Sequence, residues 1–386
     1  MWRGTTHMNQ HRLLASLVGS VAGFQLLTAT VAAHSGTTHA GTPHWVLLAL
    51  VVSGIGGMVG AIAAARRERL SVPVSGIAFG VSAAMAVFGG IGLVELQVVG
   101  RTAPQLVDMY PVLSLLVGSS VALGGILLVR LRYPGKPQYA LLSLLLASWI
   151  AYPAVLPNGG YRNPLGYVLV LGLPLLVGYI IWTDARGLIQ SLRLTTKPKL
   201  VGVAAGLLMS VFFAFSAGTM SFNPEQGLNA PTEAFVTTYD VAGPLVVWPA
   251  VEWFFPSIPF TGYLSVGTLM LMGILGGLVG LNAAIIVQQW AGRGSLPQKE
   301  LSSGSVAVSG ATACCCCAPA FYGVLSVVFG TAATPVYWAF MIPASPLGST
   351  FFAASVVLLL SSILRATGNN ATRASAAQTT PRSTGQ

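Results

Sequence analysis

Charged residues are what this sequence has least of. Only 7% of its 386 residues are Asp, Glu, Lys or Arg, whereas 54% are hydrophobic and the mean hydropathy is +0.74. Soluble domains carry about 25% charged residues, so the composition excludes an ordinary water-soluble fold. The 45 glycines and 23 prolines do not indicate disorder, because the chain is too apolar and membrane helices tolerate both residues.

Ionisable groups are also nearly missing from the apolar runs themselves. Glu95 lies at the outer edge of one run and Asp184 at the inner edge of another. Intramembrane proteolysis, ATP-driven pumping and proton-coupled transport use buried carboxylates or motifs such as HExxH, GxSxG and the Walker loop. The sequence contains none of these motifs and no acidic pair. These absences argue against an enzyme and against those classes of transporter.

Apolar runs long enough to cross a bilayer, about 20 residues each, occur ten times. They are Leu13–Ala33, Trp45–Ala65, Val72–Val94, Tyr110–Val129, Tyr139–Val155, Leu165–Trp182, Leu200–Met220, Tyr263–Gln288, Val306–Gly330 and Leu347–Leu364. The sequence therefore predicts an all-α fold, a polytopic transmembrane helical bundle in the lipid bilayer of the cell membrane. It has about ten helices, or nine if the first run is a cleaved signal.

The basic residues are distributed unevenly between the two sides of these runs. With the N-terminus inside, only Arg101 and Arg162 fall outside, which leaves 17 of the 19 basic residues on the inner side. This positive-inside bias places both termini in the cytoplasm before any processing. The net charge of +10 does not indicate nucleic-acid binding, because the basic groups form short clusters between apolar runs rather than one basic face.

The chain divides into three regions. Residues 1–33 are predicted to be a signal peptide or the first transmembrane anchor. Arg3 precedes an apolar core that permits cleavage after Ala33, yet a core of about 20 residues is longer than the usual 7–15. Residues 34–366 form the multi-span domain, and residues 367–386, rich in Ser, Thr, Ala, Gln and Arg, are expected to be a disordered cytoplasmic tail.

Two external segments between the runs are unusually apolar. The loop 221–262 contains VAGPLVVWPAVEWFF, which is too short to cross a bilayer and favours a re-entrant or interfacial helix. The link Thr331–Pro346 is similar and could also dip into the bilayer. The loop 221–262 is where a membrane-protein partner would bind.

All cysteine in the chain occurs in one block, Cys314, Cys315, Cys316 and Cys317. In the run Val306–Gly330 the block begins about nine residues in, close to mid-membrane. On a regular helix Cys314 and Cys317 share a face and can act as a CxxC pair, and two thiolates suffice to hold Cu(I) or Hg(II). Packing is the alternative, because cysteine also behaves as a small hydrophobe.

Vicinal cysteines followed closely by proline in a membrane span resemble the mercuric ion transport family, whose first helix carries a Cys-Cys pair that passes the ion inward. The resemblance covers residues 309–323, SGATACCCCAPAFYG. It implies an ion-relay role for Cys315 and Cys316 or for a neighbouring pair. The chain departs from that family in its length, its number of spans and its doubled cysteine block.

Three of the five histidines, His34, His39 and His44, stand at five-residue steps in one external segment. Imidazole binds copper, zinc and nickel, and short histidine-rich tracts are typical of metal binding. A flexible polar linker is the alternative interpretation. Cleavage after Ala33 would make His34 the N-terminal residue, whose amine and imidazole together can chelate copper.

These features predict a membrane protein that binds or transports a soft transition metal. Copper is the favoured ion, with the histidines capturing it outside and the cysteine block relaying it. One rival hypothesis is a membrane thiol redox or electron-transfer component in which Cys314 and Cys317 cycle. The other is a non-catalytic membrane subunit that supports a partner.

Overall fold

The structure is a computed structural model. It describes residues 38–39, 42–67, 69–97, 106–156, 162–193, 196–222, 233–258, 260–291 and 317–379. Within these ranges, nine helical stretches are long and apolar enough to cross a membrane, with Pro319–Met341 counted as one stretch, which confirms the polytopic helical bundle. The first predicted run, Leu13–Ala33, lies outside the described residues.

The helices are, in chain order, α1 His44–Arg66, α2 Val72–Glu95, α3 Tyr110–Arg132, α4 Pro137–Val155, α5 Pro164–Asp184, α6 Arg186–Arg193, α7 Thr196–Ser216, α8 Val266–Ala291, α9 Cys317–Phe329, α10 Thr334–Met341 and α11 Pro346–Thr379. The strands are β1 Thr38–His39, β2 Thr42–Pro43, β3 Met220–Ser221, β4 Phe235–Ala242, β5 Val247–Phe255 and β6 Phe260–Ser265. The predicted runs from the second to the eighth agree with α1–α5, α7 and α8 to within a few residues.

Three pairs of helices make extensive contacts, α1 with α2, α3 with α4, and α7 with α8. Glycines face each other in the α7–α8 pair. A Cβ added to Gly202 would lie 2.8 Å from the carbonyl oxygen of Gly280, and one added to Gly206 would lie 2.8 Å from that of Gly276. Small residues at such contacts let two membrane helices approach closely.

The buried centre of the bundle lies among α4, α5, α8 and α11. Each of these helices contributes a fully buried side chain: Ile150, Ile180, Leu275 and Val356. The side-chain amide of Asn282 on α8 donates to the carbonyl oxygen of Leu359 on α11 at 3.1 Å. The apolar stretches of α1 and α3 are only 11% buried, against 56% for α8, so α1 and α3 lie at the periphery.

The segment 221–262 contains most of an antiparallel sheet with the strand order β3-β6-β5-β4. The positive-inside bias predicts that the sheet lies at the outer end of the bundle. The expected re-entrant or interfacial helix over 241–255 is therefore wrong, since β4 ends at Ala242 and β5 follows after a tight turn. In β5, buried Trp248 and Ala250 alternate with exposed neighbours. That period of two is the period of a strand, and the valine and aromatic residues of this segment favour strands.

The ninth predicted span, Val306–Gly330, is followed by a turn rather than by a continuing helix. Gly330 has a positive φ of 59°, which glycine adopts without steric cost. The ring centroids of Tyr322 on α9 and Tyr337 on α10 lie 5.2 Å apart, whereas a straight helix would separate them by about 22 Å. The stretch Pro319–Met341 is apolar and long enough to cross a membrane, but it consists of two helices that fold back on each other.

The link Thr331–Pro346 contains α10 and stays close to the outer end of α3. The hydroxyl of Ser114 on α3 donates to the carbonyl oxygen of Ala344 at 2.7 Å. Because Ser114 lies one turn from the N-terminal end of α3, the contact places the start of α11 at that end of the bundle, which is predicted to be the outer one. The residues between α10 and α11 are thus packed against the bundle.

The last helix, α11, continues through Thr379. Residues 367–379, the first part of the predicted disordered tail, thus belong to this helix in the structure, and 380–386 lie outside the described residues. The segment is rich in alanine, the best helix former. Because the buried first half of α11 has already formed, each further residue adds to an existing helix, which avoids the cost of nucleation.

Candidate functional site

The histidine segment leads directly into α1 at the outer face. β1 pairs with β2, with His39 opposite Thr42, and His44 is the first residue of α1. Nε2 of His44 donates to the carbonyl oxygen of Leu96, one residue beyond the end of α2, at 2.8 Å. This bond joins the outer ends of α1 and α2. His34 lies outside the described residues.

Helix α9 packs along the outer half of α2. A Cβ added to Gly90 of α2 would lie 3.9 Å from Cβ of Ala320, and one added to Gly323 would lie 2.9 Å from Cβ of Leu93. The second contact lies three residues further along both helices than the first, so α9 and α2 run in the same direction. The register places Cys317, the first residue of α9, near the level of Val87.

This register sets the depth of Cys317. Val87 lies about 5 Å outward from the midpoint of α2 at 1.5 Å per residue, so the backbone of Cys317 lies near the middle of the bundle. Cys314, Cys315 and Cys316 lie outside the described residues, as does the predicted helix over 306–316. The structure therefore places one of the four cysteines, and it places that one close to the predicted depth.

The histidine and cysteine sites approach the same helix at different levels. His44 is bonded at Leu96 and Cys317 lies near Val87, a difference of nine residues or about 14 Å along the axis of α2. One ion cannot be held by both. Among the described residues, no group of three or more His, Cys, Asp or Glu side chains is arranged to hold a metal ion.

A polar junction at the outer end of α2 was missed by sequence reasoning. Oε2 of Glu95 accepts a hydrogen bond from Ser221 Oγ at 2.7 Å and one from the backbone N–H of Phe222 at 3.0 Å. The ring of Phe222 stacks on Phe215 of α7 and contacts Phe260 of β6. This junction fixes the sheet to the bundle. In the sequence, the only indication of this junction is the position of Glu95 at the end of an apolar run, because its partners follow more than a hundred residues later.

A second polar junction, between α4 and α5, lies at the end of the bundle that is predicted to be the inner one. The carboxylate of Asp184 pairs with Lys136 Nζ at 2.5 Å, and it accepts hydrogen bonds from Tyr139 Oη at 2.7 Å and Gln138 Nε2 at 3.3 Å. Three donors on one half-buried carboxylate hold the inner ends of two neighbouring helices together. Asp184 is thus fully engaged in structure.

The fold and this arrangement define a multi-pass integral membrane protein. No family model, curated protein or solved structure matches this chain. The resemblance of residues 309–323 to the mercuric ion transport family therefore rests on the cysteines and the proline alone.

Proposed function

We propose that this membrane protein binds a soft transition metal through the block Cys314–Cys317 and moves it across the bilayer. Copper is the favoured ion. The observation that carries the proposal is the position of Cys317 on α9, level with Val87 near the middle of α2. Thiolates are the ligands that Cu(I) prefers. A bound cation offsets the cost of burying the negative charge of a thiolate.

The outer histidines are the capture site in this proposal. Nε2 of His44 donates to the carbonyl oxygen of Leu96, the kind of bond that fixes the ring of a metal-ligating histidine. Capture at the outer face therefore rests on His34, His39 and His44. The distance of about 14 Å between the levels of Leu96 and Val87 calls for a transfer from one site to the other.

The test compares the purified full chain with a variant in which all four cysteines are serine. We expect the variant to lose bound Cu(I), measured by elemental analysis after anaerobic loading, and to lose Cu(I) uptake into proteoliposomes. Ser326→Ala is the matched control, because Ser326 lies on the same helix and its hydroxyl only caps the carbonyl of Gly323. Wild-type copper content and uptake in the four-serine variant would contradict the proposal.

The same position of Cys317 favours a second candidate, a membrane thiol redox component. Cys314 has the CxxC spacing to pair with Cys317, and two thiols at this spacing can cycle between the dithiol and the disulfide. Alkylation of the chain under reducing and oxidising conditions separates the candidates. Reversible loss of reactive thiols in metal-free protein supports redox cycling, whereas protection by Cu(I) alone supports transport.

A further inference from the structure

Helix α6 lies between the spans α5 and α7, at the end of the bundle that is predicted to be the inner one. Its leucines, Leu188 and Leu192, are buried in the core, whereas Arg186 and Gln190 are exposed. The helix is therefore amphipathic, with its apolar side packed on the bundle and its polar side facing away. This is the arrangement of a helix at a membrane surface.

The exposed side of α5 leads directly to Arg186. Leu175, Tyr179 and Trp182 are exposed at 74%, 56% and 51%, and their spacing of four and three residues puts them on one face of the helix. Because α5 is long and apolar enough to cross the membrane, this face contacts lipid. The guanidinium carbon of Arg186 lies 5.2 Å from the centroid of the Trp182 ring. Arg186 is thus at the boundary of the bilayer, where tryptophan meets the headgroups.

The stacking holds the guanidinium of Arg186 without using its donors. An arginine on an aromatic face keeps its N–H groups in the guanidinium plane, where they can form paired hydrogen bonds with a phosphate or a carboxylate. The nearest carboxylate along the chain, Asp184, is paired with Lys136. Within the described part of the chain, no ion pair includes Arg186.

The rest of the chain has few carboxylates to offer to Arg186. Of the nine acidic residues, only Glu68, Glu225 and Glu300 lie outside the described residues, and Glu225 follows β3 at the opposite end of the bundle. The predicted inner side has 17 basic residues against three acidic ones, Glu68, Asp184 and Glu300. This surplus of positive charge calls for anions that the chain itself does not supply.

We propose that Arg186, stacked on Trp182, binds the phosphate of an anionic phospholipid in the inner leaflet. The occupant is a lipid rather than a free phosphate, because the guanidinium continues the lipid-facing side of α5, against which the acyl chains would lie. Lys197 and Lys199, which are exposed in the first turn of α7, add to the attraction of anionic headgroups. The proposal does not depend on the metal-binding function.

The probe is dioleoyl phosphatidylglycerol, added to the delipidated full chain in a neutral detergent, with bound lipid counted by native mass spectrometry. Dioleoyl phosphatidylcholine has the same acyl chains without the net charge, and inorganic phosphate in excess serves as a competitor.

The variants are Arg186→Gln, Trp182→Leu and Glu300→Gln. Arg67→Gln is the matched control. Arg67 is also an exposed arginine at the predicted inner end, but it follows α1, whose main partner is α2 rather than α5.

We expect Arg186→Gln to weaken phosphatidylglycerol binding by about tenfold and Trp182→Leu to weaken it by about threefold. Arg67→Gln should stay within about twofold of the wild type, because salt screens distant charges. Phosphatidylcholine should bind more weakly than phosphatidylglycerol, and inorganic phosphate should not displace the lipid.

Wild-type binding of phosphatidylglycerol by Arg186→Gln would overturn the proposal, as would equal binding of the two lipids. Displacement by inorganic phosphate would overturn the assignment of a lipid as the occupant. Tighter binding by Glu300→Gln would show that Glu300 occupies the guanidinium of Arg186, and it would overturn the proposal as well.

Discussion

The rings of Tyr322 and Tyr337 contact each other at 5.2 Å between centroids, although fifteen residues separate them along the chain. The described part of α9 packs along α2 between the levels of Gly90 and Leu93, and α10 folds back on it. The α9–α10 hairpin therefore occupies the predicted outer part of the bundle. The backbone of Cys317 lies below it, near mid-depth.

The contact between Tyr322 and Tyr337 predicts that two substitutions of Tyr322 lower the stability of the protein to different extents. Tyr322 is fully buried, and its hydroxyl lies 3.3 Å from Thr334 Oγ1. Tyr322→Ala should lower the free energy of unfolding by about 3 kcal/mol, because a large buried side chain is removed. Tyr322→Phe should lower it by about 1 kcal/mol, the worth of one buried hydrogen bond. Unfolding in detergent measures both, and equal losses would contradict the packing role of the ring.

The glycine contacts of α7 and α8 predict that small additions are costly there. Gly202→Ala puts a methyl group against the backbone of Gly280 and should destabilise the protein by about 1–3 kcal/mol. Gly178→Ala on α5 is the matched control, because a Cβ there meets nothing within 4 Å and alanine favours a helix. Thermal unfolding measures the stability of the two variants. A loss of stability in Gly178→Ala as large as that in Gly202→Ala would contradict the close approach of α7 and α8.

The polar junction around Asp184 predicts that removing its carboxylate lowers the stability of the protein without a loss of metal binding. Asp184→Asn removes the ion pair with Lys136 and weakens the bonds from Tyr139 and Gln138. The cost should be about 1–2 kcal/mol, because Lys136 is partly exposed and solvent screens the pair. Copper content should stay at the wild-type level. Loss of copper from a folded Asp184→Asn protein would assign this carboxylate a role in transport.

The sheet tyrosines predict a dependence of stability on alkaline pH. Burial raises the pKa of Tyr263 above its ordinary value of 10.0. Burial also raises the pKa of Tyr239, and the charges of Glu252 and Tyr263 raise it further. Because the folded state holds these protons more tightly, the contribution is complete below pH 10 and is lost as the pH rises through the raised pKa values. Ultraviolet titration of the phenols measures this, and Glu252→Gln should move the pKa of Tyr239 downward. An unchanged titration of Tyr239 in that variant would contradict the assigned cause.

The membrane helices could be predicted from the sequence because each depends on a local property. A run such as Trp45–Ala65 shows its length and hydropathy directly, and the structure begins α1 only one residue earlier, at His44. The prediction of a helix over residues 241–255 was wrong because this segment depends on partners elsewhere in the chain. β5 is stabilised by pairing with β4 and β6, and a local window of hydropathy does not contain those partners.

The candidate site was only partly predictable for the same reason. The cysteine block and the histidine spacing are visible in the sequence, and Gly330 marks the end of α9. The depth of Cys317, however, follows from the contact of Ala320 with Gly90, two residues far apart in the chain. The bond from His44 to Leu96 likewise depends on how α1 and α2 pack.

Disulfide formation between Gly90→Cys and Ala320→Cys tests the mid-depth position of Cys317 most directly. The chain would first have its four native cysteines changed to serine. The two Cβ positions lie 3.9 Å apart, close to the mean of about 3.8 Å for disulfides, so we predict nearly complete crosslinking under mild oxidation. Gly80→Cys with Ala320→Cys should not crosslink, because Gly80 lies about 15 Å further inward along α2. Crosslinking of the Gly80 pair without the Gly90 pair would contradict the register of α9 on α2 and the position of Cys317.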